Sequence, residues 1–330
     1  MSEDKLKLLW IEWGRPLPKY LKNNVFLHRR LFPEIPQVLI SDQKNVSSKL
    51  KSNASNYRIS EIPKSPLTLK FDELTAKIDI PYGQRNFWVG TIRRFFLIYD
   101  FMSWQNLSKV LHLESDNVLL DANLLEKTLA SINGGLAYPR QSKSEGCASI
   151  FYVSDINMLR EFLEFICIEW SKGFITDMQL LGKFMKVNTG ASELNSLPRG
   201  PFIFDPGSYG KYFIGSDARN FRIPLRRRAV VTEDKTSLLE QMKRIQIVAD
   251  RSGRLVKVYV NDNSKLLNVH IHSKQIPKKP HQFETLVRKS MGRRKTWLWH
   301  QGTIDWLVVT ERFLSKLSRL VGRRGDIRLR

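Results

Sequence analysis

Short apolar runs bounded by turn residues alternate along this chain with longer segments whose apolar residues recur at helical spacing, and that alternation restricts it to the α/β class. Residues 6–13 read as a buried first strand that runs into Gly14, Pro16 and Pro18. Residues 37–40 read as a second strand. Residues 45–66, rich in Ser, Asn and Lys, read as a surface connection with a strand near 57–62. The spacing of Phe87, Ile92, Phe95, Phe96 and Tyr99 predicts a helix over 84–102. A strand is expected at 108–113, continued by 117–119, and a helix at 121–132. A core strand at 148–153 precedes Asp155, an N-cap for a helix over 156–170. A further helix is expected at 176–187 and a short strand at 200–204, followed by a glycine-containing turn over 205–210. Later strands are expected at 230–232, 245–249, 256–260 and 266–271.

Charge asks for an anionic partner. The 330 residues hold 54 Lys+Arg against 32 Asp+Glu, a formal net charge of +22. Hydrophobic residues make up 42% and charged residues 26%, which excludes a mostly disordered polar chain. Nucleic acid, an anionic membrane surface or phosphorylated small substrates would each suit the excess. Residues 277–330 carry 14 Lys+Arg and 4 Asp+Glu, a net of +10, so this tail needs its own explanation. Cys147 and Cys167 form no CxxC pair, which argues against a disulfide scaffold or cysteine zinc site and fits a reducing cytosol. No secretory leader is expected, and no stretch approaches the roughly 18 apolar residues of a membrane span. Zinc-finger, P-loop and dinucleotide glycine motifs are missing as well. The expected location is cytoplasmic, peripheral on the inner face of a membrane.

Against the overall sign, Glu114-Ser-Asp116 follows the apolar run Val110-Leu-His-Leu113. At the carboxyl end of a buried strand, such carboxylates stand at the sheet edge where α/β proteins bind ligands. If both stay extended they point the same way, and can hold a hard divalent cation that neutralises a diphosphate. A solvated loop with helix-capping acids is the plainer alternative. Further along, His270, His272 and Lys274 alternate and would share one face of a strand. A neutral imidazole can ligate a divalent ion, and Lys274 can sit against a phosphate as a point charge. Ordinary hydrogen-bonded strand histidines are the alternative there.

Taken in order, several segments resemble the metal-dependent nucleotide-sugar glycosyltransferases of the GT-A fold. They are Leu9-Trp-Ile-Glu-Trp-Gly14, Asn86-Phe-Trp-Val-Gly-Thr-Ile-Arg-Arg94, His112-Leu-Glu-Ser-Asp116, Phe204-Asp-Pro-Gly-Ser-Tyr-Gly210 with Gly215-Ser-Asp217, and Asn268-Val-His-Ile-His-Ser-Lys274. The resemblance covers roughly residues 6–276 and implies a mixed, mainly parallel central sheet flanked by helices. It departs from the family's DxD motif at Glu114. By this resemblance Asp116 is the direct metal ligand, and Glu114 a weaker one or a contact to sugar or ribose hydroxyls. His272 would complete a Mn²⁺ or Mg²⁺ site, chosen over His270 because it lies nearer Lys274 and the turn at Ser273. Lys274 and Arg94 would meet the diphosphate, and Trp13 would stack on base or sugar, although core packing competes for the tryptophans. Asp177 would be a catalytic carboxylate on the acceptor side, with Asp205 and Asp217 as rivals; favouring a helix N-terminus is its plainer role.

These features imply two units, a transferase domain over 1–276 and a basic tail over 277–330. The tail reads as an amphipathic helix over 303–321 that seeks an anionic membrane or packs on the body. The expected partners are a nucleotide sugar and a glycan or lipid-linked acceptor, as in polysaccharide biosynthesis. A nucleic-acid-binding protein and an inactive glycosyltransferase-like module are the alternatives, the former without any reader motif.

Overall fold

The computed structural model describes residues 5–80, 85–197, 200–210, 245–249, 256–260, 264–272 and 274–292. Asp217, the strand expected at 230–232 and the helix expected at 303–321 lie outside them.

A seven-stranded sheet organises the fold, in the order β3-β2-β1-β4-β7-β6-β8. Its strands are β1 (Lys7–Glu12), β2 (Gln37–Ser41), β3 (Ser55–Arg58), β4 (Val110–Leu113), β6 (Leu136–Pro139), β7 (Ile150–Val153) and β8 (Ala191–Leu194). Pairings β1–β2, β2–β3, β1–β4 and β6–β8 are parallel, and β7 runs antiparallel to both β4 and β6. The sheet is therefore mixed and mainly parallel, as the alternation of elements predicts.

Both faces of the sheet are covered, which explains the near-continuous apolar runs of its strands. Leu9 of β1 joins a core with α3 (Pro66–Lys77), α4 (Arg85–Trp104), α6 (Ile156–Ser171) and α7 (Asp177–Val187). Its neighbours Leu8 and Trp10 join the opposite core with α1 (Lys19–Leu31), α2 (Ser48–Lys51) and α5 (Ala122–Ala130). Helix starts follow local chemistry. Asp121, Asp155 and Thr176 each cap their helix through the side chain, and Thr176 forms a capping box with Gln179.

Two expected strands are divided. Residues 117–119 do not continue β4: Asn117 N–H turns back to the Glu114 carbonyl at 2.9 Å, and β5 (Asn117–Leu119) leaves the sheet. The run expected at 266–271 breaks at Leu267. β12 (Ser264–Leu266) joins a four-stranded sheet with β9 (Phe202–Ile203), β10 (Ile245–Ala249) and β11 (Val256–Val260), while β13 (Asn268–His270) pairs antiparallel with β5. A third apolar cluster, including Val118, Val258, Val269 and Phe283, seats this unit and α8 (Pro280–Gly292) beside α1.

Helices α1, α2, α3 and α8 and strands β6 and β8 are additions to the sequence reading. In α1 the reason is plain: its buried face includes Asn23, Asn24 and His28, which interrupt the apolar stripe. His28 Nδ1 lies 2.9 Å from the Asn24 carbonyl, and Leu119 N–H donates to its Nε2 at 3.0 Å. Together these contacts fit only the neutral ring with its proton on Nδ1. Burial, partly opposed by the Asn24 bond, lowers the His28 pKa from 6.5 to about 4. The native state thus binds fewer protons than the unfolded chain. This stabilisation is complete above pH 6.5 and is lost as pH falls toward 4. Over that interval it amounts to about 3 kcal/mol. Urea unfolding at pH 7 and pH 4 should show His28→Gln, whose amide oxygen accepts the Leu119 N–H without titrating, losing less stability than wild type by that amount.

Candidate functional site

β4 delivers the acidic element to the carboxyl edge of the parallel strands. Glu114 N–H is tied to the Ser149 carbonyl at 3.0 Å, and the chain then turns through residues 115–116. β13 comes back along β5, and Ile271 N–H donates to the Asp116 carbonyl at 2.7 Å. This places the His270 ring over both carboxylates. Its Nε2 lies 3.1 Å from Asp116 Oδ1 and 3.2 Å from Glu114 Oε2. Lys274 Nζ stands 3.1 Å from Asp116 Oδ2, and above the Tyr20 ring at 4.9 Å.

Glu114, Asp116 and His270 each offer one donor atom, all within 4.8 Å of one another. Two donors at right angles around one ion, each about 2.1 Å from it, lie about 3 Å apart. The two separations from His270 match that edge. Carboxylate oxygens with one imidazole nitrogen suit a hard or borderline divalent ion, so the residues fit Mg²⁺ or Mn²⁺.

His272 differs from its expected place. β13 ends at His270, and His272 N–H bonds back to the His270 carbonyl at 3.2 Å, so the two rings do not alternate along one strand. The His272 ring lies beside that of His270, centroids 4.0 Å apart, and against Gly207, where an added Cβ would collide with it. The His270 Nε2 stands at both carboxylates, and His272 acts on Asp116 through its charge.

Arg94 also differs from its expected role at a diphosphate. On α4 it projects into the molecule, 7% exposed, and donates from Nη1 to Glu114 and from Nη2 to Asp177. The neighbouring Arg93 turns outward to an ion pair with Asp72. Asp177, the first residue of α7, is 4% exposed and is held by Arg94 at the helix start. Trp13 packs half-buried against the α4 core, its ring 3.4 Å from where a Cβ on Gly90 would sit.

Electrostatics bind this cluster together. Burial opposes the charged form of Asp116, yet His270, Lys274 and His272 hold its carboxyl well below the usual range. Glu114 is likewise lowered, by Arg94 and His270 against burial. His270 is raised to about 9, because Asp116, Glu114 and Asp205 outweigh its own burial. Burial and the Arg94 charge push His112, on β4, down to about 3.

Asp205 is a structural hub. Fully buried, its carboxylate accepts N–H groups from Gly207 at 2.7 Å, Tyr209 at 3.0 Å, Gly210 at 2.8 Å and His270 at 3.0 Å. With its lone pairs so engaged it is poorly placed to take a substrate proton, against the sequence expectation of a base. Gly210 packs so closely on His270 that a Cβ would collide with the His270 carbonyl oxygen. Asn268 extends the hub. Its Oδ1 accepts Asp205 N–H at 2.9 Å, and its Nδ2 reaches Asn117 Oδ1 at 2.9 Å. Asn24, on α1, ties the same turn by donating to the Ser115 and Asn117 carbonyls at 3.1 and 2.8 Å. None of these asparagines stood out in the sequence. The asparagines beside each motif, Asn117 and Asn268, were the available signal.

Replacing Asp205 by Asn puts an NH₂ group against backbone donors. The variant should lose about 1–3 kcal/mol of stability and bind Mn²⁺ about 10–100-fold more weakly, because His270 loses its anchor. Urea unfolding and calorimetric Mn²⁺ titration measure the two effects.

Compared with protein families and with curated proteins, the sequence matches none. Among solved structures, the apo form of mouse xyloside xylosyltransferase 1 aligns over 60% of this chain and 88% of its own, at 9% identity and a TM-score of 0.42. The galactosyltransferase LgtC, solved with donor and acceptor sugar analogs, aligns over 70% and 85%, at 12% identity and a TM-score of 0.38. The bifunctional glycosyltransferase WbbM, apo, aligns over 62% and 41%, at 11% identity and a TM-score of 0.39. Likenesses this weak carry no functional argument by themselves.

Proposed function

We propose that this protein is a glycosyltransferase of GT-A type that transfers a sugar from a nucleotide-diphosphate donor to an acceptor hydroxyl. One observation carries the reading: Glu114, Asp116 and His270 converge, with Lys274 beside them, at the carboxyl edge of a mainly parallel sheet. Asp116, Glu114 and His270 would hold Mg²⁺ or Mn²⁺. When bound, that ion supplies positive charge against the donor diphosphate.

The chain's own residues do the rest. Lys274 Nζ, 28% exposed and close to Asp116, is placed to pair with a phosphate oxygen as charge builds on the leaving nucleotide. Arg94 keeps Glu114 ionised and fixes Asp177 at the start of α7, so that both carboxylates hold one orientation. Asp177 is the carboxylate we assign to the acceptor side. Trp13, which directly follows β1, is the aromatic side chain we assign to base or sugar. A glycan or lipid-linked glycan serves as acceptor.

The test is nucleotide-sugar hydrolysis and binding, screened over UDP- and GDP-sugars with and without Mn²⁺. Metal-dependent release of the nucleoside diphosphate from one donor supports the proposal. Absence of both donor binding and turnover across the screen defeats it.

A further inference from the structure

A second feature of the molecule has no part in that chemistry. Helix α1 turns a basic face outward. Lys19, Arg29 and Arg30 are exposed and Lys22 is half-buried, and α1 contains no acidic residue. Short α2 adds Lys49 and Lys51, both exposed, again with no acid. From the other side come Lys278 and Lys279, exposed, just ahead of α8. The three rows meet at Phe26. Lys49 Nζ lies 5.6 Å from the centroid of its half-buried ring and Lys278 Nζ 5.9 Å. Arg30 donates to the Lys278 carbonyl at 3.0 Å, which fixes the rows to each other. Among the described residues, none of these eight cations forms an ion pair with an acid; Glu34 beyond α1 and Glu284 in α8 are the acids nearest in sequence.

Uncompensated charge of this density is self-repelling and asks for an anionic partner. Its layout says which kind. The cations spread over three neighbouring elements as a broad field, not along a single track, and so match a planar array of negative charges better than one extended strand. At the centre, two lysine ammonium groups flank one half-buried aromatic ring, which puts charge beside apolar surface as interfacial segments do at a lipid headgroup layer. The field starts at the first turn of α1, where Tyr20 carries Lys274. A surface bound here would lie beside the mouth of the site.

We propose that the outer face of α1, with α2 and residues 278–279, docks this protein on an anionic phospholipid bilayer. This surface shares only residues 278–279 with the tail to which the sequence assigned membrane binding, and it does not depend on the transferase reading.

The experiment uses the full chain and sedimentation with vesicles of phosphatidylcholine alone, or of phosphatidylcholine and phosphatidylglycerol in equal parts. Lys49, Lys51, Lys278 and Lys279 are changed together to Glu in one variant and to Gln in a second. A control carries the same charge reversal at exposed Lys70, Lys77, Lys127 and Lys186. The expected result is binding to the anionic vesicles only, reduced at least tenfold by reversal at the patch, less by neutralisation, and less than threefold by the control. Binding unchanged in the patch variants, or lost equally in the control, overturns the proposal. So does equal binding to neutral vesicles. Loss of affinity for single-stranded RNA without loss of vesicle binding would also overturn it and assign the patch to nucleic acid. Nucleotide-sugar hydrolysis in detergent-free solution should be the same in the patch variants as in wild type. A dead enzyme with intact docking would fault the transferase reading alone.

Discussion

Asp116→Ala should lower metal-dependent nucleotide-sugar turnover by on the order of 10³, while leaving the far-ultraviolet circular dichroism of the protein unchanged. The size follows from what one carboxylate does. Asp116 faces His270 through Oδ1 and Lys274 through Oδ2, so its removal would take one oxygen from the proposed cation site and the counter-charge from both neighbours. Glu114 cannot substitute, because its other oxygen is committed to Arg94. Asp116 is buried but stands at a turn rather than inside a helix or strand, so its truncation interrupts no regular element. Equal turnover by wild type and variant, at saturating Mn²⁺ and donor, would remove Asp116 from the reaction.

Arg94→Met should cost about 3–5 kcal/mol of stability, the range for leaving buried charges without their partner. The guanidinium is the shared cation of Glu114 and Asp177, and burial alone would disfavour its charge were the two carboxylates not raising its pKa. Methionine fills much of the space but strands both acids. Two further measurements identify the cause. The penalty should shrink as pH falls, since protonated carboxyls are buried more cheaply. Adding Asp177→Asn to Arg94→Met should recover part of the loss, so the two changes are not additive. Arg94→Lys should fall between wild type and Met, because a single ammonium cannot span the two carboxylates as a planar fork does. A Met variant within about 0.5 kcal/mol of wild type in urea unfolding would mean that the buried triad contributes nothing net.

How the sequence announced these elements depends on what each is made of. The apolar runs of β1, β2, β4 and β7 and the periodic aromatics of α4 were legible because burial on two faces writes itself into composition. Helix α1 was not, because asparagine and histidine on its buried face carry hydrogen bonds where a pattern reader looks for leucine. The acidic element was legible as chemistry, and β4 places it at the sheet edge. Choosing between His270 and His272 needed the pairing of β13 with β5, a contact between segments about half a chain apart that no local spacing encodes. Arg94 shows the same limit from the other direction. A basic pair on a helix says that one side chain turns inward, but not that two acids are waiting for it.

The ribbon of β5 and β13 has a consequence for the order in which the molecule is made. All seven strands of the main sheet lie before residue 195, whereas His270 meets Asp116 across 154 positions of chain. During synthesis the sheet and its flanking helices can collapse while the last piece of the site is still untranslated. A chain that has emerged from the ribosome only as far as residue 210 would therefore present the seven-stranded body with an acidic turn that has no histidine to close it. Competence would arrive as a late event, separate from folding of the bulk, when the β13 segment docks along a strand already in place.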